Sequence, residues 1–242
     1  GSIPMDGYRI EKLVFESLPG IHVTALVYVP EGPSGKRPAV LLACGHSPVG
    51  KAHPGYQEIA VRLVRRGYVV LCWDPVGQGE RSQFWDKTRG RSRYNLVCGE
   101  HAVLGNFATI AGTSLVRYMV WDGMRAVDYL LTRDDVDGSR LAVTGTSGGG
   151  FQALYLGALD LRIGVAVVDH QRFAGALGEV DVPGECVALC RRVGAPVELA
   201  RPVQVEAGFP DRDDPGMTGE SLDDGLGLLG QRVGPGRMQG DR

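Results

Sequence analysis

Gly145-Thr146-Ser147-Gly148-Gly149 is the stretch of this 242-residue chain best suited to covalent chemistry. It sets a serine between glycines, after the apolar run Leu141-Ala142-Val143 and before a run at 151–159 with helical composition. A G-x-S-x-G sequence at a strand-to-helix junction is the pattern of a nucleophile elbow. The sharp turn lifts the hydroxyl above the sheet edge, and the glycines let neighbouring backbone pass close by. The following helix N-terminus directs free N–H groups and its dipole at any oxyanion that develops there. Ser147 is therefore expected to be a nucleophile.

The elements that must position it follow from pattern. Residues 8–17 and 21–30 alternate apolar and polar and are joined by Leu18-Pro19-Gly20, which predicts an antiparallel hairpin. The continuous apolar runs at 39–44 and 68–73 suit strands covered on both faces. Between them, 56–65 has helical spacing and ends in Arg65-Arg66-Gly67, a favourable C-terminus. Ser114 can cap a helix running to about Leu131, with Val116, Met119, Val120, Met124, Val127 and Leu130 on one side. Strands are expected at 140–144 and 163–168, and a helix at 148–159. This alternation predicts an α/β fold with a mostly parallel, doubly wound sheet and an N-terminal antiparallel hairpin. The polar segment 74–106 reads as an insertion near the site, because a stretch that long in a compact domain is usually functional.

From about Tyr8 to Val168, some two-thirds of the chain, the sequence resembles the α/β-hydrolase superfamily and its acetyl xylan esterase and dienelactone-hydrolase-like branch. Three features carry the resemblance: Cys44-Gly45-His46 after the third strand, Gly77-Gln78-Gly79 after the fourth, and the serine turn. The resemblance implies an esterase acting through an acyl-enzyme on a small-molecule ester, with acylated carbohydrate as the substrate class and no metal or organic cofactor. It also implies that the backbone N–H groups of His46 and Gly148 form the oxyanion hole. A related peptidase is the neighbouring possibility within the superfamily.

A serine nucleophile also needs a base and an acid that orients it. The acid has two candidates. Asp211 stands in Gly208-Phe209-Pro210-Asp211, like the strand–Gly-x-x-Asp pattern of the esterase branch, and Asp169 follows the strand at 163–168. Asp211 is the favoured one. For the base, no histidine follows His170, and the expected chain order would put the triad histidine after the acid. His101 and His170 are the available substitutes. The alternative is a catalytically impaired chain that keeps the hydrolase sheet, or a binding module using the 74–106 insertion as its contact surface.

Past Asp169 the composition changes: Gly, Arg, Asp and Pro dominate, and Phe173 and Phe209 are the last aromatic residues. The hydrolase domain is therefore assigned to 1–210, with its C-terminal part incomplete, and 211–242 to a mobile tail. A net charge of −2 gives no reason to expect nucleic acid or an anionic membrane as partner. No apolar run approaches the roughly 20 residues that span a bilayer. The start, Gly1-Ser2-Ile3-Pro4, has neither Met nor an apolar signal region, so a processed or partial chain, or a Gly1-Ser2 scar, is expected and the compartment stays open. Oligomeric state is equally open. Of the five cysteines, Cys44 and Cys72 read as small buried hydrophobes. Trp73 and Trp121 read as core, and Trp85 as a lid residue.

Overall fold

Strands and helices alternate as the apolar pattern demands, and the computed structural model describes residues 1–94, 98–169 and 186–190. The main sheet is built from β1 (Ser2–Met5), β2 (Tyr8–Leu18), β3 (Ile21–Pro30), β4 (Arg37–Ala43), β5 (Val69–Trp73), β8 (Val136–Thr146), β9 (Val165–Asp169) and β10 (Cys186–Cys190). A two-residue-stranded hairpin, β6 (Trp85–Asp86) with β7 (Arg91–Ser92), stands apart. The helices are α1 (Pro54–Val64), α2 (Gly99–Ile110), α3 (Leu115–Leu131) and α4 (Gly148–Leu159).

In space the strands lie in the order β1-β2-β3-β5-β4-β8-β9-β10. The central four, β5, β4, β8 and β9, run parallel, while the N-terminal β2–β3 hairpin is antiparallel as expected. β3 joins β5 and β10 joins β9 in antiparallel register, so antiparallel strands flank the parallel centre.

The period of two sorts β4 and β5 onto two faces. Leu41, Ala43, Leu71 and Trp73 face a core completed by Val120, Val127 and Leu130 of α3 and Leu156 of α4. Leu42, Val70 and Cys72 face the other way, onto Ala60 and Val64 of α1. The sheet is thus covered on both sides. Each fully buried Leu or Val contributes about 1.5–3 kcal/mol relative to exposure. Cys44 and Cys72 are buried with their Sγ atoms 3.3 Å apart, and burial pushes the Cys44 thiol up, so they pack as hydrophobes.

Three sequence expectations change. The insertion 74–106 is not all loop: α2 begins inside it at Gly99. α1 starts two residues earlier than expected, at Pro54, where His53 Nδ1 accepts a hydrogen bond from the Gly55 N–H as N-cap. Trp121 is not core. It is 41% exposed on α3, where its indole N–H donates to the Ser17 carbonyl. A Trp at the edge of an amphipathic face buries its body and keeps its N–H for a partner. The proposed boundary at 210 and the tail 211–242 lie outside the described residues.

Candidate active site

β8 ends at Thr146 and α4 begins at Gly148, so the whole change of direction falls on Ser147. Its backbone takes φ 57° and ψ −121°, and it is the one non-glycine residue with positive φ among the described residues. Such a conformation costs about 1–3 kcal/mol and survives only where the surroundings impose it. Here β8 is held in register between β4 and β9, and α4 is anchored by buried Ala153 and Leu156. The glycines at 145 and 149 have a steric reason. A Cβ on Gly145 would crowd the Gly149 backbone and the Ala43 carbonyl, and one on Gly149 would overlap the Ala43 carbonyl oxygen. Ser147 itself is exposed to solvent.

Facing this turn is the end of β4, Cys44-Gly45-His46. Three neutral side chains hold it. Tyr56 of α1 accepts a 2.6 Å hydrogen bond from the Gly45 N–H, and burial pushes its phenol up to about 12, so it stays protonated. Gln78 donates from Nε2 to the Gly45 carbonyl at 2.9 Å. Gln152 of α4 donates from Nε2 to the Cys44 carbonyl at 3.0 Å and reaches the Gly148 carbonyl at 3.4 Å.

The His46 ring lies against Gly148, where an added Cβ would come within 2.8–2.9 Å of its Cε1 and Nδ1. His101 of α2 meets it edge to face, with ring centroids 5.0 Å apart. His101 donates from Nε2 to the Val76 carbonyl at 2.7 Å, because a carbonyl can only accept, and this leaves Nδ1 as its basic nitrogen. Burial lowers both imidazoles below their ordinary range. For His46 the nearby His101 adds to the effect, while for His101 the Val76 carbonyl and Glu100 oppose it.

One turn away, charge does the holding. Asp74, fully buried at the end of β5, accepts from Lys51 Nζ at 2.5 Å, the Lys51 N–H at 2.8 Å and Thr24 Oγ1 at 2.7 Å. Burial works against the Lys51 ammonium, but Asp74 and Glu80 outweigh it and hold the group above its ordinary value. Arg81 donates to Asp122 Oδ2 at 2.6 Å and to the Asp74 carbonyl at 3.0 Å, and Asp122 also accepts from Ser17 Oγ. Together these ties lock the segment Gly77-Gln78-Gly79 between β5 and the short helical turn at Gly79–Arg81.

Of the residues expected from sequence, Ser147, Gly148 and His46 come together at one edge of the sheet. His101, considered as a substitute base, also reaches this edge. Among the described residues no imidazole hydrogen-bonds the Ser147 hydroxyl. Asp169 pairs in register with Thr146, which sets its backbone beside the serine turn. Asp211 and His170 lie outside the described residues. Trp85 is 53% exposed on the β6–β7 hairpin and borders a cavity of about 200 Å³ that Gln78 also lines. Sequence reasoning missed the roles of Tyr56, Gln78 and Gln152 in holding the β4 turn. The sequence carried a signal for two of them: Gln78 stands in the Gly77-Gln78-Gly79 stretch, and Gln152 is a polar residue on the buried side of an apolar helix.

Among the described residues no helix is long and apolar enough to cross a membrane. Among curated proteins, the candidate hydrolase YtaP of Bacillus subtilis is 30% identical over 158 residues, covering 58% of this chain and 47% of that protein. A methylesterase structure is 28% identical with a TM-score of 0.52, covering 68% of this chain and 32% of the other. The structure of a candidate acetyl xylan esterase from Bacteroides fragilis superposes with a TM-score of 0.59 at 24% identity, covering 68% of this chain and 45% of that one, and shares the fold. The chain thus spans less than half the length of these relatives. The family model for acetyl xylan esterase matches residues 3–173, a range that contains both the β4 turn and the serine turn, and the chain belongs to that family.

Proposed function

We propose that this chain is built as a serine hydrolase of carboxylic esters, with acetylated carbohydrate as its substrate class. The observation that carries the reading is the strained backbone of Ser147 at a strand–helix junction, with φ 57° at a solvent-exposed residue. Strain of this kind is retained where it serves a site. Family membership supports the ester chemistry, and the substrate class follows from the name of the family.

In this reading Ser147 Oγ attacks the ester carbonyl and passes its proton to a base. The N–H groups of His46 and Gly148 donate to the oxyanion, the alcohol leaves, and water releases the acid from the acyl-enzyme. Asp211, within its Gly208-x-x-Asp211 sequence, is the proposed acid that orients the base. Within the described residues two imidazoles lie at the serine turn: His46 against Gly148, and His101 edge to face with it; burial disfavours the charged form of both.

A second reading rests on the lack of any hydrogen bond between a described imidazole and Ser147: a hydrolase scaffold with impaired turnover. Hydrolysis of 4-nitrophenyl acetate by the wild type and Ser147→Ala separates the two. A competent enzyme shows turnover that Ser147→Ala reduces to the residual level of roughly 10³–10⁴ over water. Equal rates for both proteins, with unchanged circular dichroism, would sink the serine mechanism.

A further inference from the structure

Gln78 and Gln152 are both almost fully buried, and each uses its amide in the same lopsided way. The NH₂ group of each donates to a backbone carbonyl of the β4 turn, while the Oε1 of each is buried with no hydrogen-bond partner. A carbonyl partner can only accept, so the orientation of each amide is fixed by chemistry. Leaving an acceptor buried and unpaired costs roughly 1–3 kcal/mol. The polar contacts that each amide makes within the protein are therefore spent on the backbone around the serine turn.

What the donors achieve is visible in the peptide planes. The Gly45–His46 peptide is trans, like every described peptide bond, so its carbonyl and its N–H point in opposite directions. By holding the Gly45 carbonyl, Gln78 turns the His46 N–H away from the interior of the 77–79 segment. Gln152 holds the preceding carbonyl, that of Cys44, and from the same nitrogen contacts the Gly148 carbonyl in the first turn of α4. It therefore ties the strand-end turn carrying one N–H donor to the helix start carrying the other. Tyr56 completes the set by fixing the Cys44–Gly45 peptide from its N–H side.

We infer that Gln78 and Gln152 are positioning residues that preset the oxyanion hole, Gln78 by orienting the His46 N–H and Gln152 by fixing its spacing to the Gly148 N–H. Neither touches the reacting atoms. The inference rests on the serine reading above, and it assigns to two side chains a role that the G-x-S-x-G pattern does not contain. Electrostatic catalysis depends on donors already in place, and loss of one oxyanion donor typically costs 10²–10³-fold. Loosening a donor without removing it costs less, about ten- to hundredfold.

The test is binding of phenylboronic acid, which adds to a serine hydroxyl to give a tetrahedral anion that mimics the intermediate. Boron NMR and tryptophan fluorescence follow it without requiring turnover. Gln78→Leu and Gln152→Leu are compared with wild type, with Ser147→Ala, and with Leu130→Ala, a core truncation in α3 that lowers stability alone. The expected result is boronate affinity reduced about ten- to hundredfold in each glutamine variant and unchanged in Leu130→Ala, all at temperatures where every variant is folded. If the wild type turns over ester, the loss falls on kcat, with KM nearly constant. Glutamine variants that bind boronate like wild type, or weaken no more than Leu130→Ala, overturn the inference and leave the serine reading intact. Wild type and Ser147→Ala behaving alike overturn the serine reading and this inference with it.

Discussion

Two adjacent turns at the same edge of the sheet are held by opposite means. The turn after β5 is fixed by ions: Lys51 with Asp74 and Glu80, and Arg81 with Asp122. The turn after β4 is fixed by neutral groups, the amides of Gln78 and Gln152 and the phenol of Tyr56. The reason lies in range. Two unit charges 4 Å apart interact by about 4 kcal/mol at an effective dielectric of 20. A carboxylate in the β4 turn would disfavour any negative charge developing beside Ser147, and a lysine there would favour the resting carboxylate product as much as the transition state. Neutral dipoles orient the backbone without such a field. Even the two imidazoles at the site follow this rule, because burial disfavours their charged forms. Among the described residues, the ion pairs that hold these two turns stay at the β5 turn, one turn short of the proposed nucleophile.

The contrast breaks most easily at Asp74. Asp74→Ala removes the partner of a buried ammonium and of three further donors, the Lys51 N–H, Thr24 Oγ1 and the Glu80 N–H, so unfolding free energy in urea should drop by about 3–5 kcal/mol. A drop under about 1 kcal/mol would show that the ionic turn is ornamental. Tyr56→Phe should cost less, about 1–3 kcal/mol, since one buried N–H, that of Gly45, loses its acceptor. The two variants should also divide by readout. Asp74→Ala is expected to act first on the denaturation midpoint, and Tyr56→Phe to weaken boronate uptake out of proportion to its stability loss. If the ranking by boronate uptake runs the other way, the division between the turns fails.

The serine turn was legible because everything that defines it is contiguous: a strand, five residues of turn and a helix. The strands of the parallel centre were legible for a similar reason, since burial on both faces leaves unbroken apolar runs. α2 was hidden. Its N-cap, Cys98, makes no side-chain cap, Gly105 interrupts it, and its apolar residues form no clean stripe. Tertiary ties stand in for local signals, because Glu100 accepts from Ser82 Oγ and the Gln83 N–H, and His101 reaches Val76. Trp121 was misread because helical periodicity does not distinguish the centre of a buried stripe from its rim. The glutamine clamps were out of reach for a different reason. Gln78 and Gln152 act on carbonyls 33 and 108 residues away, and no local pattern encodes a contact of that range.

The smallest effect concerns the imidazoles, and it sharpens the contrast from the neutral side. His46 and His101 have pKa values below the ordinary imidazole range in the folded protein, chiefly through burial. As pH falls through that range, about 6.5, the unfolded chain takes up protons at these two positions before the folded chain does. Stability therefore rises with pH across this window and is lost on acidification, until the folded-state imidazoles are protonated as well. His101→Gln keeps a donor for the Val76 carbonyl and removes one titrating ring, so the melting temperature of that variant should fall less steeply between pH 7 and pH 5 than that of the wild type. Lys51 adds no slope of its own in this window, because it is held above its ordinary value and stays charged throughout. An identical slope in the variant would mean that the His46–His101 contact carries no protonation penalty, and the neutral character of the β4 turn would then rest on its amides and phenol alone.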